Sequence, residues 1–245
     1  MGGIRLLSLA GLLCMSIVPA QAQTLYSADF ESGIPAGFTG AGFINASGGY
    51  ADYGFGNNML RNWSGVDQAI TLTLNLAQTA NNVTLSFDAA FIDSWDGRSG
   101  GCCNPDVLRV ALDGNTVLEH SINNVWGYVA GYGGTAVSDP IPAGSVLFVD
   151  AGSALNLAGE WNGSSGYDSG IRFALNLGNL GAGTHTITWA PSGGGWQAGQ
   201  DESFAIDNVA IAAVPEPSSW LLMLAGLIVT GTLAVRRAKA PATRG

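Results

Sequence analysis

Ile70-Thr71-Leu72-Thr73-Leu74-Asn75-Leu76 and, shortly after, Val83-Thr84-Leu85-Ser86-Phe87-Asp88-Ala89-Ala90-Phe91 alternate apolar and polar side chains. A period of two sets every second side chain on one face of a strand, so each stretch has a face to bury. The pattern recurs over Val107 to Leu112, Thr116 to Ile122, Val146 to Val149, Ile171 to Leu177, Thr184 to Trp189 and Phe204 to Ile211. Asp113-Gly114-Asn115 supplies the residues of a tight hairpin between two of these strands. Glycine is frequent, helical periodicity is absent, and neither a repeat nor a linker divides the region. The expectation is an all-β body over residues 23–213, a single antiparallel β-sandwich.

The charge of this body narrows its partners. It holds seventeen of the chain's 18 carboxylates, and its only basic side chains besides histidine are Arg61, Arg98, Arg109 and Arg172. It has no lysine, and its net charge is near −13. Such a surface repels phosphate backbones, which excludes nucleic acid as a partner. Divalent cations and neutral polymers suit it better; negative charge that simply keeps an exported protein soluble is the plainer reading.

Both ends of the chain read as targeting segments. Arg5, the apolar run Leu6 to Val18 and the small-x-small site Ala20-Gln21-Ala22 form a signal peptide over residues 1–22, with Gln23 as the mature terminus. Cys14 lacks the small residues that precede a lipidated cysteine and is discarded with the signal. At the other end, Pro215-Glu216-Pro217 precedes sixteen uncharged residues, 220–235, and then Arg236-Arg237-Ala238-Lys239. The prolines keep the chain extended, the apolar run is a transmembrane helix, and the arginines hold its end, with the tail 240–245, on the cytoplasmic side. Sixteen residues rise about 24 Å against about 30 Å of hydrocarbon, which suits a temporary anchor.

Residues 214–239 resemble the PEP-CTERM sorting tail of exported proteins in Gram-negative bacteria. Pro215, Glu216, Pro217, the apolar span, Arg236 and Arg237 carry the resemblance. It implies recognition by an exosortase, a membrane transpeptidase-like enzyme that removes the tail, with the protein ending at the cell surface or in the extracellular matrix alongside exopolysaccharide. The body resembles jelly-roll sandwiches of the carbohydrate-binding or MAM type through Ala28-Asp29-Phe30-Glu31-Ser32-Gly33, Phe91 to Gly97 with Val107 to Gly114, Gly181 to Ile187, and Asp201 to Val209. In such folds the first and last strands pair, and a calcium ion offsets the repulsion of their carboxylates. The matching positions are Asp29 and Glu31 on the opening strand and Asp207 on the closing one; calcium and solvated strand carboxylates both remain open there. Asp207 has odd parity to Phe204, Ile206 and Asn208, so it either faces solvent or lines the opposite face with Val209.

The mature body has two cysteines, Cys102 and Cys103, adjacent in a glycine-flanked loop. In an oxidising compartment they form a strained vicinal disulfide, bridge two molecules, or stay as two thiols. No nucleophile elbow, zinc-protease helix or phosphate-binding loop is present. His185 shares the parity of Ile187 and Trp189 and reads as a strand residue. No catalytic residue is assigned, and the chain is read as a non-enzyme. Sugar rings are held by aromatic faces and polar rims. The loop aromatics are Trp95, Trp126, Tyr128, Tyr132, Trp161, Tyr167 and Trp196, of which Trp126, Tyr128, Trp161 and Tyr167 are the carbohydrate-binding candidates. The competing reading has these rings capping the core.

The sequence therefore describes a non-catalytic exported surface or matrix protein, with a lectin-like module for the same polysaccharide as the alternative and a polysaccharide-acting enzyme as the third. The intact mass of the mature protein from its native cells is expected to correspond to a chain that starts at Gln23 and lacks Arg236 and Arg237. A mass that includes the original carboxyl terminus contradicts the sorting reading.

Overall fold

The computed structural model describes residues 22–40, 42–62, 69–98, 104–124, 137–153, 155, 168–199 and 201–213. The signal segment through Gln21, with Cys14 and Ala20, lies outside them, as do Cys102, Cys103 and the tail from Val214 with Pro215, Glu216, Pro217, Arg236 and Arg237. Among the described residues no helix is long and apolar enough to cross a membrane; the span 220–235 was not among them.

Ile70, Leu72 and Leu74 are buried while the residues between them are not, as their alternation requires. The chain forms β1 (Gln23–Ala28), β2 (Phe38–Gly40), β3 (Phe43–Ala46), a short 3-10 helix (Gly48–Tyr53) and β4 (Asn58–Asn62). Next come β5 (Ile70–Leu76), β6 (Ala80–Asp93), β7 (Val107–Leu112), β8 (Asn115–His120) and β9 (Ile122–Asn123). The last are β10 (Val137–Ser138), β11 (Val146–Ser153), β12 (Asp168–Leu180), β13 (Gly183–Ser192) and β14 (Glu202–Ala213). β7 and β8 are joined by Asp113-Gly114, both at positive φ; of the hairpin residues Asp113-Gly114-Asn115 read from the sequence, Asn115 already opens β8 opposite Leu112.

A seven-stranded sheet runs β11-β12-β6-β14-β4-β3, with β1 also on β14, and a five-stranded sheet runs β2-β5-β13-β7-β8. All the described pairings are antiparallel. β14 is flanked along its length by β6, while its other edge meets β4 at Phe204 to Ile206 and β1 at Val209 to Ala213.

The two sheets bury one core between them. Leu85, Phe87, Phe91, Phe173 and Ile206 from the larger sheet meet Leu72, Val110, Ile187 and Trp189 from the smaller. The Phe87 and Trp189 rings stand edge to face with centroids 5.7 Å apart, an arrangement that adds to their area burial. This is a sandwich. A second, smaller core lies on the other side of the larger sheet, where Tyr50 and Phe55 pack with Met59, Ala90, Ile92, Leu155 and Ala205. It explains why the alternation of β6 fades after Asp88: from Phe87 to Asp93 every side chain is buried, because both faces are covered.

Candidate functional site

Strand register gives the sandwich two unlike poles. At one, Asp168 lies opposite Ile92, Glu202 opposite Asp93, Phe204 opposite Asn62 and Ser192 opposite Val107. Segments 63–68, 99–103, 125–136 and 156–167 each leave from and return to residues of this pole. At the other, Gln23 pairs with Ala213, Ala213 with Val83, and Gly183 with Leu76. The body thus begins and ends at one pole and gathers its long connections at the other. The sugar-contact candidates Trp126, Tyr128, Trp161 and Tyr167, and Tyr132 beside them, belong to those connections and lie outside the described residues.

Trp95 and Trp196 lie within the described residues, and both are core side chains rather than exposed platforms. Trp95 is fully buried and donates its indole N–H to the Ser203 carbonyl at 2.8 Å; Trp196 packs edge-on against it at 5.4 Å. Their role is to cap the core beneath this pole.

The same pole holds a buried polar network. Arg61 is fully buried and donates through Nε and Nη2 to Ser203 Oγ, at 3.0 and 2.8 Å. Asn124 donates to the carbonyls of Phe91 and Asp93 and accepts from Ser169 Oγ. Asp168 accepts from the Leu155 N–H at 3.0 Å and the Asp93 N–H at 3.4 Å. Beside them Asp106 accepts the Asp96 N–H, and Glu202 Oε1 accepts the N–H groups of Gln197 and Ala198. Burial, with the charges of Asp96 and Asp201 nearby, pushes the Asp106 carboxyl up to about 7. Burial and the Asp106 charge push Glu202 up to about 8.

A second charged set crosses the outer face of the larger sheet. Arg172, Asp88 and Asp207 lie side by side on β12, β6 and β14. Arg172 holds Asp88 through two bonds of 2.7 and 2.8 Å, and Asn208 Nδ2 reaches both Asp88 and the Gly54 carbonyl. Asp207 is 1% exposed; burial, and then the charges of Asp88, Glu31 and Asp29, push its carboxyl up to about 8. Parity left Asp207 two faces. The register shifts after Asp207, Asn208 takes a positive φ and points outward, and Asp207 is covered.

Asp29 and Glu31 were expected on the opening strand. β1 ends at Ala28, so both belong to the turn that follows, in which Phe30 has φ of 55° and plugs the core. That turn is what brings them towards Asp207. Glu31 accepts the N–H groups of Asn57 and Asn58 and the Asn57 amide, and these bonds lower its pKa. Among the described residues no three Asp, Glu, His or Cys side chains converge as a metal-binding group. Asp207 is a covered carboxyl near the charges of Asp88, Glu31 and Asp29, and the Arg172 guanidinium is engaged by Asp88.

The histidines are placed apart from both sets. His120 is buried against Phe91 and Phe173, and burial lowers its pKa to about 4, so the ring is neutral. His185, on β13 as its parity implied, shares 2.8 Å with Asp113 at the pole of the termini, a contact that raises its pKa.

No protein-family model matches this chain, and no curated protein does. Among solved structures, it is similar to the K2 cleaved adhesin domain of Lys-gingipain at 15% identity, covering 76% of this chain and 96% of that one with a TM-score of 0.43. It is also similar to the xylan-binding CBM22-1 domain of Paenibacillus barcinonensis Xyn10C (13%, 80% and 97%, 0.37). A family 35 carbohydrate binding module from Clostridium thermocellum is a third (12%, 78% and 98%, 0.34). At these scores none of them transfers a ligand or an activity to this chain.

Asp88, Arg172, Asp106, Glu202 and Arg61 were not singled out by sequence. Asp88 and Arg172 sit at polar parity within alternating runs, and pairing across strands is invisible without register. Replacing Arg172 with Met leaves the fully buried Asp88 carboxylate beside Asp207 without its guanidinium. The loss is expected to be about 2 kcal/mol in urea unfolding, below the range for a fully buried pair because the Arg172 side chain is 53% exposed. Adding Asp88→Asn to that variant is expected to recover part of it. An unchanged urea midpoint in Arg172→Met contradicts this account of the row.

Proposed function

We propose that this chain is a non-catalytic exported domain that associates with extracellular polysaccharide, delivered by a PEP-CTERM-type tail and released or re-attached by an exosortase. The observation that supports it is the separation of the poles. The ends that carry the export and sorting segments meet where Gln23 pairs with Ala213, and the aromatic connections 125–136 and 156–167 join at the far pole. Trp126, Tyr128, Trp161 and Tyr167 belong to those connections by sequence and are the aromatic side chains proposed to contact the polymer. Neutral sugars suit a body of this charge, because an anionic polymer would be repelled. Calcium beside Asp29, Glu31 and Asp207 would neutralise the junction of first and last strands and hold β1 on the sheet.

The non-catalytic reading is supported by where the titratable groups lie. Among the described residues neither histidine is hydrogen-bonded to a serine, threonine or cysteine: His120 packs against the Phe91 and Phe173 rings, and His185 is tied to Asp113. Seventeen carboxylates supply pairs by chance, so a pair alone does not argue for a glycosidase.

The test is retention of the full-length chain on the exopolysaccharide of its own host. Trp161→Ala and Trp126→Ala are each expected to weaken retention about tenfold, the effect of about 1.4 kcal/mol of lost stacking. Retention equal to wild type in both variants, or turnover of the polymer abolished by a single carboxylate substitution, overturns the proposal.

A further inference from the structure

Asp106 is 1% exposed, and its two carboxylate oxygens are treated unequally. Oδ2 accepts the Asp96 N–H, while Oδ1 is buried with no hydrogen-bond partner. A buried acceptor left unmatched costs about 1–3 kcal/mol, so its persistence in a closed site calls for a ligand. Oδ1 is directed at the turn Gly195 to Ala198. A side chain at Gly195 would begin 2.8 Å from Oδ1 and 1.9 Å from the Asn104 carbonyl oxygen, so only glycine lets these two oxygens face the same small space. The same turn holds Glu202, also 1% exposed, whose Oε1 takes the Gln197 and Ala198 N–H groups. Asp96 and Asp201 add like charge around Asp106. Trp95 and Trp196 form an apolar wall in the turn's neighbourhood, which strengthens electrostatic interactions there.

We propose that Asp106 and Glu202, with the Asn104 carbonyl, bind one calcium-class divalent cation at the pole of the long connections. Asp106 Oδ2 and Glu202 Oε1 accept backbone N–H groups, which offsets part of what burial costs their ionised forms. An oxygen-only, carboxylate-rich set selects a hard cation over zinc or copper. No three acidic side chains converge at the site, so the rest of a shell of six to eight oxygens falls to carbonyls and water. The ion has structural work to do. Asn104 to Asp106 lead into β7 of the smaller sheet, and Gly195 to Glu202 lead into β14 of the larger. A cation between them staples the two sheets together at the pole where the connections emerge.

This site shares no residue with the Asp29, Glu31 and Asp207 set, so the two are separable by substitution. Calcium titration calorimetry on the metal-free full-length chain in detergent micelles is the experiment. In Asp207→Asn, one ion per chain is expected to remain; adding Asp106→Asn or Glu202→Gln to that background is expected to weaken it at least tenfold. A folded Asp207→Asn protein that binds no calcium, or an affinity unchanged by both further substitutions, overturns the proposal. Wild-type binding of one ion that Asp207→Asn does not alter and Asp106→Asn removes would support this site while refuting the other. Should the Asp106 and Glu202 variants fail to melt cooperatively, terbium luminescence excited through tryptophan in the Asp207→Asn chain decides the matter. Emission displaced by calcium is expected, since Trp196 adjoins Gly195, and its absence contradicts the site.

Discussion

Buried negative charge is the constraint on which this structure turns. Asp88, Asp93, Asp106, Asp168, Glu202 and Asp207 are each at most 3% exposed, in a body with four arginines and no lysine. An isolated carboxylate cannot be taken out of water at tolerable cost, so each must be paired, hydrogen-bonded, protonated or bound to a cation. Asp88 is paired with Arg172, and Asp168 is held by backbone N–H groups. Asp106, Glu202 and Asp207 have no arginine in contact, and burial raises the pKa of each. Protons satisfy them in a metal-free chain; divalent cations would do so at neutral pH and above.

The pairing of β1 with β14 turns that constraint into an organisation. It sets Gln23 against Ala213 and, through the turn that follows β1, carries Asp29 and Glu31 towards Asp207. Because β14 also pairs with β6 for most of its length, Glu202 and the connections before it are fixed at the opposite pole. One strand therefore links the acidic junction of β1 and β14 with the buried pair of Glu202 and Asp106.

The fold was legible in the sequence where one face of a strand is buried and the other wet. Ile70 to Leu76 announces its strand because burial there follows period two, and Asp113-Gly114 announces its turn because few residues tolerate two successive positive φ angles. Short strands such as Phe38–Gly40 and Asn58–Asn62 were not legible, since three to five residues leave too little alternation to count. The 3-10 segment Gly48–Tyr53 is too short to show a helical period and was missed, and with it the second core that covers Ala90 and Ile92. The acidic sets were only half legible. Asp29, Glu31 and Asp207 fall in stretches where a motif can be matched, but Asp106 and Glu202 meet through the Gly195 to Ala198 turn, and sequence distance conceals that contact.

The pH dependence of thermal unfolding tests the charge account most directly. Asp106, Glu202 and Asp207 keep their protons in the folded chain to about 7, 8 and 8, whereas their unperturbed values are 3.8, 4.5 and 3.8. The folded state then binds more protons than the unfolded one across that interval, so stability falls as pH rises through it and levels off above it. His120, held neutral down to about 4 against an ordinary 6.5, acts in the opposite sense, and its effect fades as pH rises past 6.5. Between pH 6.5 and 8, in EDTA, Tm is expected to fall by several degrees, and millimolar calcium is expected to abolish that fall. A Tm that is flat or rising over this window without metal, or a fall that calcium leaves untouched, contradicts the account.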